Sequence, residues 1–227
     1  MMKHMNSVAM VKSASSPSLA APSSVFLVDD DASVRRALAR LIKSAGHSVQ
    51  TFASAREFLD TQAGGDGAAC LVLDVRMPGV TGIDLQRELQ TLNRDVPIVF
   101  ITGHGDIPMS VKAMKAGAVD FLQKPVKDKD LLKAIEQSLA QAARDQSRRA
   151  EIDQIQKRVE SLTPRELEVM ALVVTGMLNK QIAFKLGTVE KTIKVHRARV
   201  MAKMGVDSIA ELVRLTEKIN IHPAQNQ

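Results

Sequence analysis

The sequence predicts a doubly wound α/β domain of five parallel strands, followed by a small all-helical domain, with a helical segment joining the two. Three observations carry this. Up to about residue 143, short apolar runs alternate with helix-length amphipathic segments, as in a parallel sheet wrapped by helices. Beyond that point only helical periodicity remains, so the second domain is all-α. Lastly, the apolar runs end in polar chemistry. Val25-Phe26-Leu27-Val28 runs into Asp29-Asp30-Asp31, Leu71-Val72-Leu73 into Asp74, Ile98-Val99-Phe100-Ile101 into Thr102, and Val119-Asp120-Phe121-Leu122 leads to Lys124-Pro125. Ligands of open parallel sheets sit at the carboxyl ends of the strands. The run ends therefore gather acids, one hydroxyl and one ammonium in a single pocket.

Each element follows in order. After the first strand, residues 34–45 place Val34, Ala37, Leu38, Leu41 and Ile42 on one helical face, with Gly46 as a stop. Residues 47–52 form a short second strand. Ser54, with Glu57 three residues on, starts a helix to residue 61. Strand three covers 70–75, a helix 82–92, strand four 96–101, a helix 107–116 and strand five 118–122. A last helix begins near Asp128 and carries Leu131, Leu132, Ile135 and Leu139. This alternation implies a flavodoxin-like strand order.

Composition bounds the function. The 227 residues allow two domains, each with a core, and 45% apolar with 25% charged residues is ordinary for a globular chain. Tyr and Trp are absent, so the cores rest on aliphatic residues and Met. The one cysteine, Cys70, excludes a disulfide framework and suits a reducing cytosol; as a small core residue it needs no further role. No apolar run approaches the roughly 20 residues that span a bilayer, and residues 1–23 read as a Ser- and Ala-rich flexible tail with no signal-peptide pattern. The expectation is a cytoplasmic protein without membrane contact. Net charge is +6, but residues 25–140 hold 14 basic and 15 acidic side chains, whereas residues 161–227 hold 10 and 6. A basic second domain points to nucleic acid there.

A pocket of three carboxylates needs a cation. Hard oxygen ligands that leave room for water and a phosphoryl group suit Mg²⁺. Lys124 offers a point charge to phosphate oxygens, the Thr102 hydroxyl offers a hydrogen bond, and Asp74 is the central nucleophile. Asp31 and Asp84 are as well explained as helix-start residues.

Val28-Asp29-Asp30-Asp31, Leu73-Asp74-Val75-Arg76-Met77-Pro78-Gly79, Thr102-Gly103-His104-Gly105 and Lys124-Pro125 resemble the receiver domain of two-component response regulators. Thr102-Gly103-His104-Gly105-Asp106-Ile107-Pro108-Met109 is similar to the FixJ branch in particular. The resemblance covers residues 24–143. It implies Asp74 as phosphoacceptor, and Mg²⁺ held by Asp29, Asp30, Asp74 and the Arg76 backbone carbonyl. It further implies Thr102, Lys124 and Phe121 as the switch that senses phosphorylation, with Arg76 and His104 tuning dephosphorylation.

Residues 144–160 form the helical linker. Ile152, Ile155, Val159 and Leu162 repeat at helix-seam spacing, which fits either a dimerising coiled coil or an exposed linker. Thr163-Pro164-Arg165-Glu166 is a capped helix start. Asn179 opens a short helix to Leu186 and Gly187; a basic helix over 189–204 follows, with Ile193, Val200 and Met204 inward and His196 at the edge of that stripe. A fourth helix covers 208–220. Two short helices around a Gly turn form a helix-turn-helix pattern. Leu162-Thr163-Pro164-Arg165-Glu166, Asn179-Lys180-Gln181-Ile182-Ala183 and Thr192-Ile193-Lys194-Val195-His196-Arg197-Ala198-Arg199 resemble the LuxR/NarL/FixJ output domain, here residues 161–227.

By that resemblance Lys194 and Val195 face bases, Lys191, Thr192 and Lys203 hold phosphates, and Arg197 and Arg199 join the DNA-binding surface. Val189 stands where the family often has a capping Ser, leaving Thr188 to cap the helix or its end to fray. Ala198 replaces a basic residue read in some relatives. The implied partners are a sensor histidine kinase, promoter DNA, RNA polymerase and, on phosphorylation, a second copy of the chain. Two other readings use the same acids: a phosphoaspartyl hydrolase, opposed by Arg76 where a general acid would stand, and a constitutive dimeric regulator, opposed by the complete acidic site.

Overall fold

The computed structural model describes residues 23–61, 68–103 and 107–219, and the chain divides between Ala142 and Ala143. Residues 1–22 of the expected tail, and His104, lie outside the described residues. In the first unit the order is β1 (Ser24–Val28), α1 (Ala32–Ser44), β2 (Ser48–Phe52), α2 (Ala55–Asp60), β3 (Ala69–Asp74), α3 (Gly82–Thr91), β4 (Ile98–Thr102), α4 (Ile107–Lys115), β5 (Asp120–Gln123) and the start of α5 (Asp128–Glu160). The strands are parallel, in the order β2-β1-β3-β4-β5.

Alternation along the strands divides the core between the faces of the sheet. Phe26, Val28, Leu71, Leu73 and Phe100 pack with Phe58, Leu85 and Ala113 on one face. Val25, Leu27, Val72, Val99 and Ile101 pack with Ile42, Leu131 and Ile135 on the other. All six residues of β3 are buried, as its central position between β1 and β4 requires. Each large apolar side chain among them, Leu71, Val72 and Leu73, contributes about 1.5–3 kcal/mol by leaving water. The helix starts are written in the sequence. Asp31 accepts N–H bonds from Ser33 and Val34, Ser54 from Glu57, and Thr81 from Asp84.

Two strands, β4 and β5, start two residues later than expected, for backbone reasons. Pro97 has no N–H to give a ladder, and Val96 donates locally to Arg94, so β4 begins at Ile98. Ala118 donates back to Ala113 at the end of α4, which delays β5 to Asp120.

In the second unit α5 ends at Glu160 and is followed by α6 (Pro164–Val173), α7 (Asn179–Lys185), α8 (Glu190–Met204) and α9 (Ile209–Lys218). The segment expected as a linker is the end of α5, continuous from Asp128. Three of its four seam residues are covered within this unit: Ile155, Val159 and Leu162 pack with Val169, Ile182, Ile193, Val200 and Leu212, while Ile152 is half-buried. Ile193, Val200 and Met204 are fully buried, as the periodicity of the basic helix predicts. Thr163 and Glu166 close a reciprocal capping box on α6. Thr188 does not cap α8. The N-cap is Val189, whose side chain has no acceptor, and the helix starts without a side-chain bond. Its other end is firm: Gly205 takes the left-handed conformation (φ 64°) and donates to Ala202 and Met201.

One glycine fixes the approach of α3 to the pocket. A Cβ on Gly82 would stand 2.3 Å from the Asp74 carbonyl oxygen, a backbone atom that cannot turn away. Gly82→Ala should therefore destabilise the first unit by about 1–3 kcal/mol, the usual cost of overpacking. Native-state hydrogen exchange should show faster exchange in β3 and α3, with the amides of α8 unchanged.

Candidate functional site

The carboxyl ends of β1, β3, β4 and β5 converge. Asp29 and Asp74 are buried and Asp30 is exposed, and one carboxylate oxygen from each lies within 4.8 Å of the others. Lys124, the first residue after β5, reaches back between two of them. Its Nζ donates to Asp29 Oδ2 and to Asp74 Oδ2, each at 2.7 Å. The second oxygens face backbone: Asp29 Oδ1 accepts from the Asp31 N–H at 2.9 Å, and Asp74 Oδ1 from the Arg76 N–H at 3.2 Å. Both carboxylates are thus oriented at both oxygens.

Burial pushes the Asp29 carboxyl above its usual value, against the opposing pull of the Lys124 bond. For Lys124, burial works against the charge, but the bonds to Asp29 and Asp74 outweigh it and raise its pKa. One ammonium facing three carboxylates leaves negative charge uncompensated. The donor set is carboxylate oxygen, with the Arg76 peptide immediately beyond Asp74. Hard, oxygen-only donors of this kind fit a small divalent cation.

Thr102, the last residue of β4, is fully buried. Its carbonyl accepts the Lys124 N–H at 2.7 Å, so hydroxyl and ammonium stand on directly bonded backbones. Phe121 is half-buried, its ring centroid 6.1 Å from that of Phe100. Arg76 is exposed. Cys70 is buried at the opposite end of β3, and burial pushes its thiol up to about 12, which leaves it an inert core residue.

The second constellation is α8. Lys191, Lys194, Val195 and Arg199 are exposed together with Ala198, on the side away from Ile193 and Met204; Thr192 is half-buried. Lys194 pairs loosely with Glu190 at 3.3 Å, with both side chains largely in solvent, an arrangement of little energetic consequence. Two other cations serve the unit itself. Arg197 Nη1 donates to Asn179 Oδ1 at 3.0 Å, tying α8 to the first residue of α7. Lys203, which the resemblance gives as a phosphate contact, donates from Nζ to Glu166 Oε2 at 2.6 Å and to the Ser161 carbonyl at 2.9 Å.

Sequence reasoning missed this partner because Glu166 is already accounted for as the capping-box residue, whose Oε2 accepts the Thr163 N–H at 2.9 Å. Arg158 was missed as well. It donates to the Met204 carbonyl at 3.0 Å, at the end of α8, and no local pattern links residues so far apart in sequence.

Glu166 is only 3% exposed, and the Lys203 bond lowers its carboxyl to about 2 from an ordinary 4.5. A depressed folded pKa stabilises the fold fully above the unfolded value and ceases to do so as pH falls through the folded one. The second unit should lose stability between pH 4.5 and about 2, and Glu166→Gln should flatten that dependence while lowering stability at neutral pH. Urea titrations followed on α8 amide resonances, at several pH values in this window, measure both effects.

Comparison with known proteins agrees with the two units. A model of the response regulator receiver domain matches residues 25–136, and one of bacterial regulatory proteins of the luxR family matches residues 160–216. Nodulation protein W of Bradyrhizobium diazoefficiens is 49% identical over 209 residues, which cover 89% of this chain and 90% of that protein. The transcriptional regulatory protein FixJ of the same species is 44% identical over 191 residues, or 84% and 93% of the two chains. A solved structure of the response regulator StyR is 50% identical, with a TM-score of 0.78 over 87% of this chain and 100% of that one.

Proposed function

The chain belongs to the FixJ branch of the two-component response regulators, and from that membership we propose that Asp74 is the residue that takes the phosphoryl group. The protein is a phosphorylation-controlled transcription regulator. Its receiver domain implies a sensor kinase as partner, and its luxR-family domain implies DNA.

The observation that carries the Asp74 assignment is its setting. It ends the fully buried central strand, its Oδ1 is held by a backbone N–H and its Oδ2 by the ammonium of Lys124. A carboxylate oxygen of Asp74 attacks the phosphorus of the donor, a phosphohistidine of the kinase. The P–N bond breaks, its electrons return to the imidazole, and an acyl phosphate remains on Asp74. Asp29, Asp30, Asp74 and the Arg76 carbonyl would hold Mg²⁺, which would supply charge compensation for the phosphoryl oxygens.

The new oxygens compete for Lys124, which in the unmodified site is shared by Asp29 and Asp74. Phosphorylation recruits the ammonium and the Thr102 hydroxyl, and Phe121 repacks against the altered strand ends. Arg76, exposed beside the site, and His104 set the access of water and hence the lifetime of the phosphoryl group. The responsive face is that of α4, β5 and the start of α5, where Val111 and Met114 are exposed. Two copies join through it, which presents two α8 helices to a two-fold promoter site beside RNA polymerase. Among the described residues no helix is long and apolar enough to cross a membrane, and the cytoplasm, where kinase and DNA are both met, is the place we assign.

On α8, Lys194 and Val195 face bases, while Lys191, Thr192 and Arg199 hold phosphates. Arg197 and Lys203 position the helix through Asn179 and Glu166.

Asp74→Asn should abolish labelling by acetyl phosphate in the presence of Mg²⁺, with chelation of Mg²⁺ having the same effect on the wild type. Undiminished labelling of the variant would move the phosphoacceptor elsewhere.

Lys194→Ala and Lys191→Ala should separate reading from gripping. Each lost phosphate contact lowers the slope of log affinity against log salt by about 0.9, whereas a lost base contact also removes about 1–3 kcal/mol of discrimination. Measured across a salt series with phosphorylated protein, Lys194→Ala should narrow the gap between a selected operator and random DNA. Lys191→Ala should weaken both equally.

A further inference from the structure

The directional bonds that hold α8 lie toward its far end. Its N-cap, Val189, offers no side-chain bond. The Glu190–Lys194 pair lies within the helix, so it cannot fix the first turns against the rest of the unit. Among the described residues, side-chain hydrogen bonds between α8 and the rest of the unit fall at Arg197, Lys203 and Met204. Ile193 packs the near end into the core, but that attraction is non-directional. Of the three bonded positions, Arg197 and Lys203 are held through their own side chains, whose stems can absorb a small tilt of the helix. Only at Met204 is the main chain of α8 itself gripped. Arg158 donates to the carbonyl of this last helical residue at 3.0 Å. It stands on α5 between Ile155 and Val159, both packed in the core, so its base is fixed. Its guanidinium lies over Gly205, where a Cβ would stand 3.3 Å from Nη1 and 3.7 Å from Cζ. A cation at a helix C-terminus is also favoured by the helix dipole.

We infer that Arg158 is a positioning residue for DNA recognition: it does not touch the duplex, and it sets the angle of α8 at which Lys194 and Val195 meet base edges. The inference rests on the reading of α8 as the base-contacting helix. Lys194 lies ten residues before Met204, about 15 Å along the axis. Over that span a change of about 5° in helix angle displaces one end relative to the other by more than about 1 Å. Direct hydrogen bonds to base edges close only at about 2.7–3.2 Å, so a displacement of this size breaks them. Phosphate contacts behave differently, because a lysine is a point charge on a flexible stem and follows the backbone. Loss of the Arg158 bond therefore costs reading and spares gripping.

The test uses the full chain, treated with acetyl phosphate and Mg²⁺, and a duplex that the wild type selects from a random library. Arg158→Met keeps the stem over Gly205 and removes the donors. It should lower affinity for the selected duplex by roughly tenfold, the scale of one lost base contact. Affinity for random duplex should stay within about twofold of wild type, and the slope of log affinity against log salt should not change. Arg158→Lys restores one donor and should show only about a twofold to threefold loss of discrimination between the duplexes. Circular dichroism and urea unfolding check that each variant is folded at the assay temperature. A lowered urea midpoint with discrimination intact would make the bond merely stabilising and overturn the proposal. Equal weakening on both duplexes, with a salt slope flatter by about 0.9, would make Arg158 a phosphate contact and overturn it as well. If Arg158→Met does not fold, Arg158→Lys carries the test, and wild-type discrimination in that variant overturns the proposal. If the wild type selects no duplex, the transcription reading fails and the inference goes with it; a wild type that discriminates no better than Arg158→Met loses the inference alone.

Discussion

The bridge from Lys124 to Asp29 and Asp74 is the interaction on which the receiver site depends. Two buried carboxylates at the ends of neighbouring strands repel each other, and burial pushes Asp29 toward the protonated form. The ammonium between them, 2.7 Å from each, lets a charged site exist at the end of a sheet whose interior is otherwise apolar. It also makes the site responsive. A cation satisfied by two carboxylates has a definite partnership to give up under the proposed phosphorylation of Asp74, and its backbone is bonded to that of Thr102. The same contact that stabilises the resting site is the one that the proposed phosphorylation would rearrange.

The fold was legible because parallel strands state themselves twice, as buried apolar runs and as polar residues at one end of each run. Strand order follows once the polar ends must converge, and caps such as Asp31, Ser54 and Thr81 mark helix starts by local chemistry. The acidic pocket was legible for the same reason, since its members are defined by position along strands. Strand starts were less clear, because Pro97 and the turn after α4 act through backbone hydrogen bonds that hydrophobic periodicity does not encode.

The second unit was legible as helices but not as a network of charges. Lys191, Lys194, Arg197, Arg199 and Lys203 are alike in sequence, and only their partners separate them. Arg197 meets Asn179, Lys203 meets a nearly buried Glu166, and the others face solvent. A buried carboxylate without its cation is costly, so Lys203 belongs to the fold before it can belong to any ligand. The capping box pointed to Glu166 as a local device. That it also anchors α8 depends on a contact across 37 positions of sequence, which no window-based pattern contains.

α5 shows how one helix can serve two cores. Its early residues Leu131, Ile135 and Leu139 pack on the sheet, and its late residue Ile155 packs among α6, α7 and α8. The residues between, from 143 to 151, are exposed, and an isolated helix of that length would be marginal in water. It does not need to nucleate, because the helix is already started on one side and held on the other by Arg158 at the Met204 carbonyl and by Lys218 at Glu151. Propagation across a short polar stretch then costs little. The apolar seam at Ile155, Val159 and Leu162, which in sequence suits a dimer interface as well as a linker, is consumed in holding that far end.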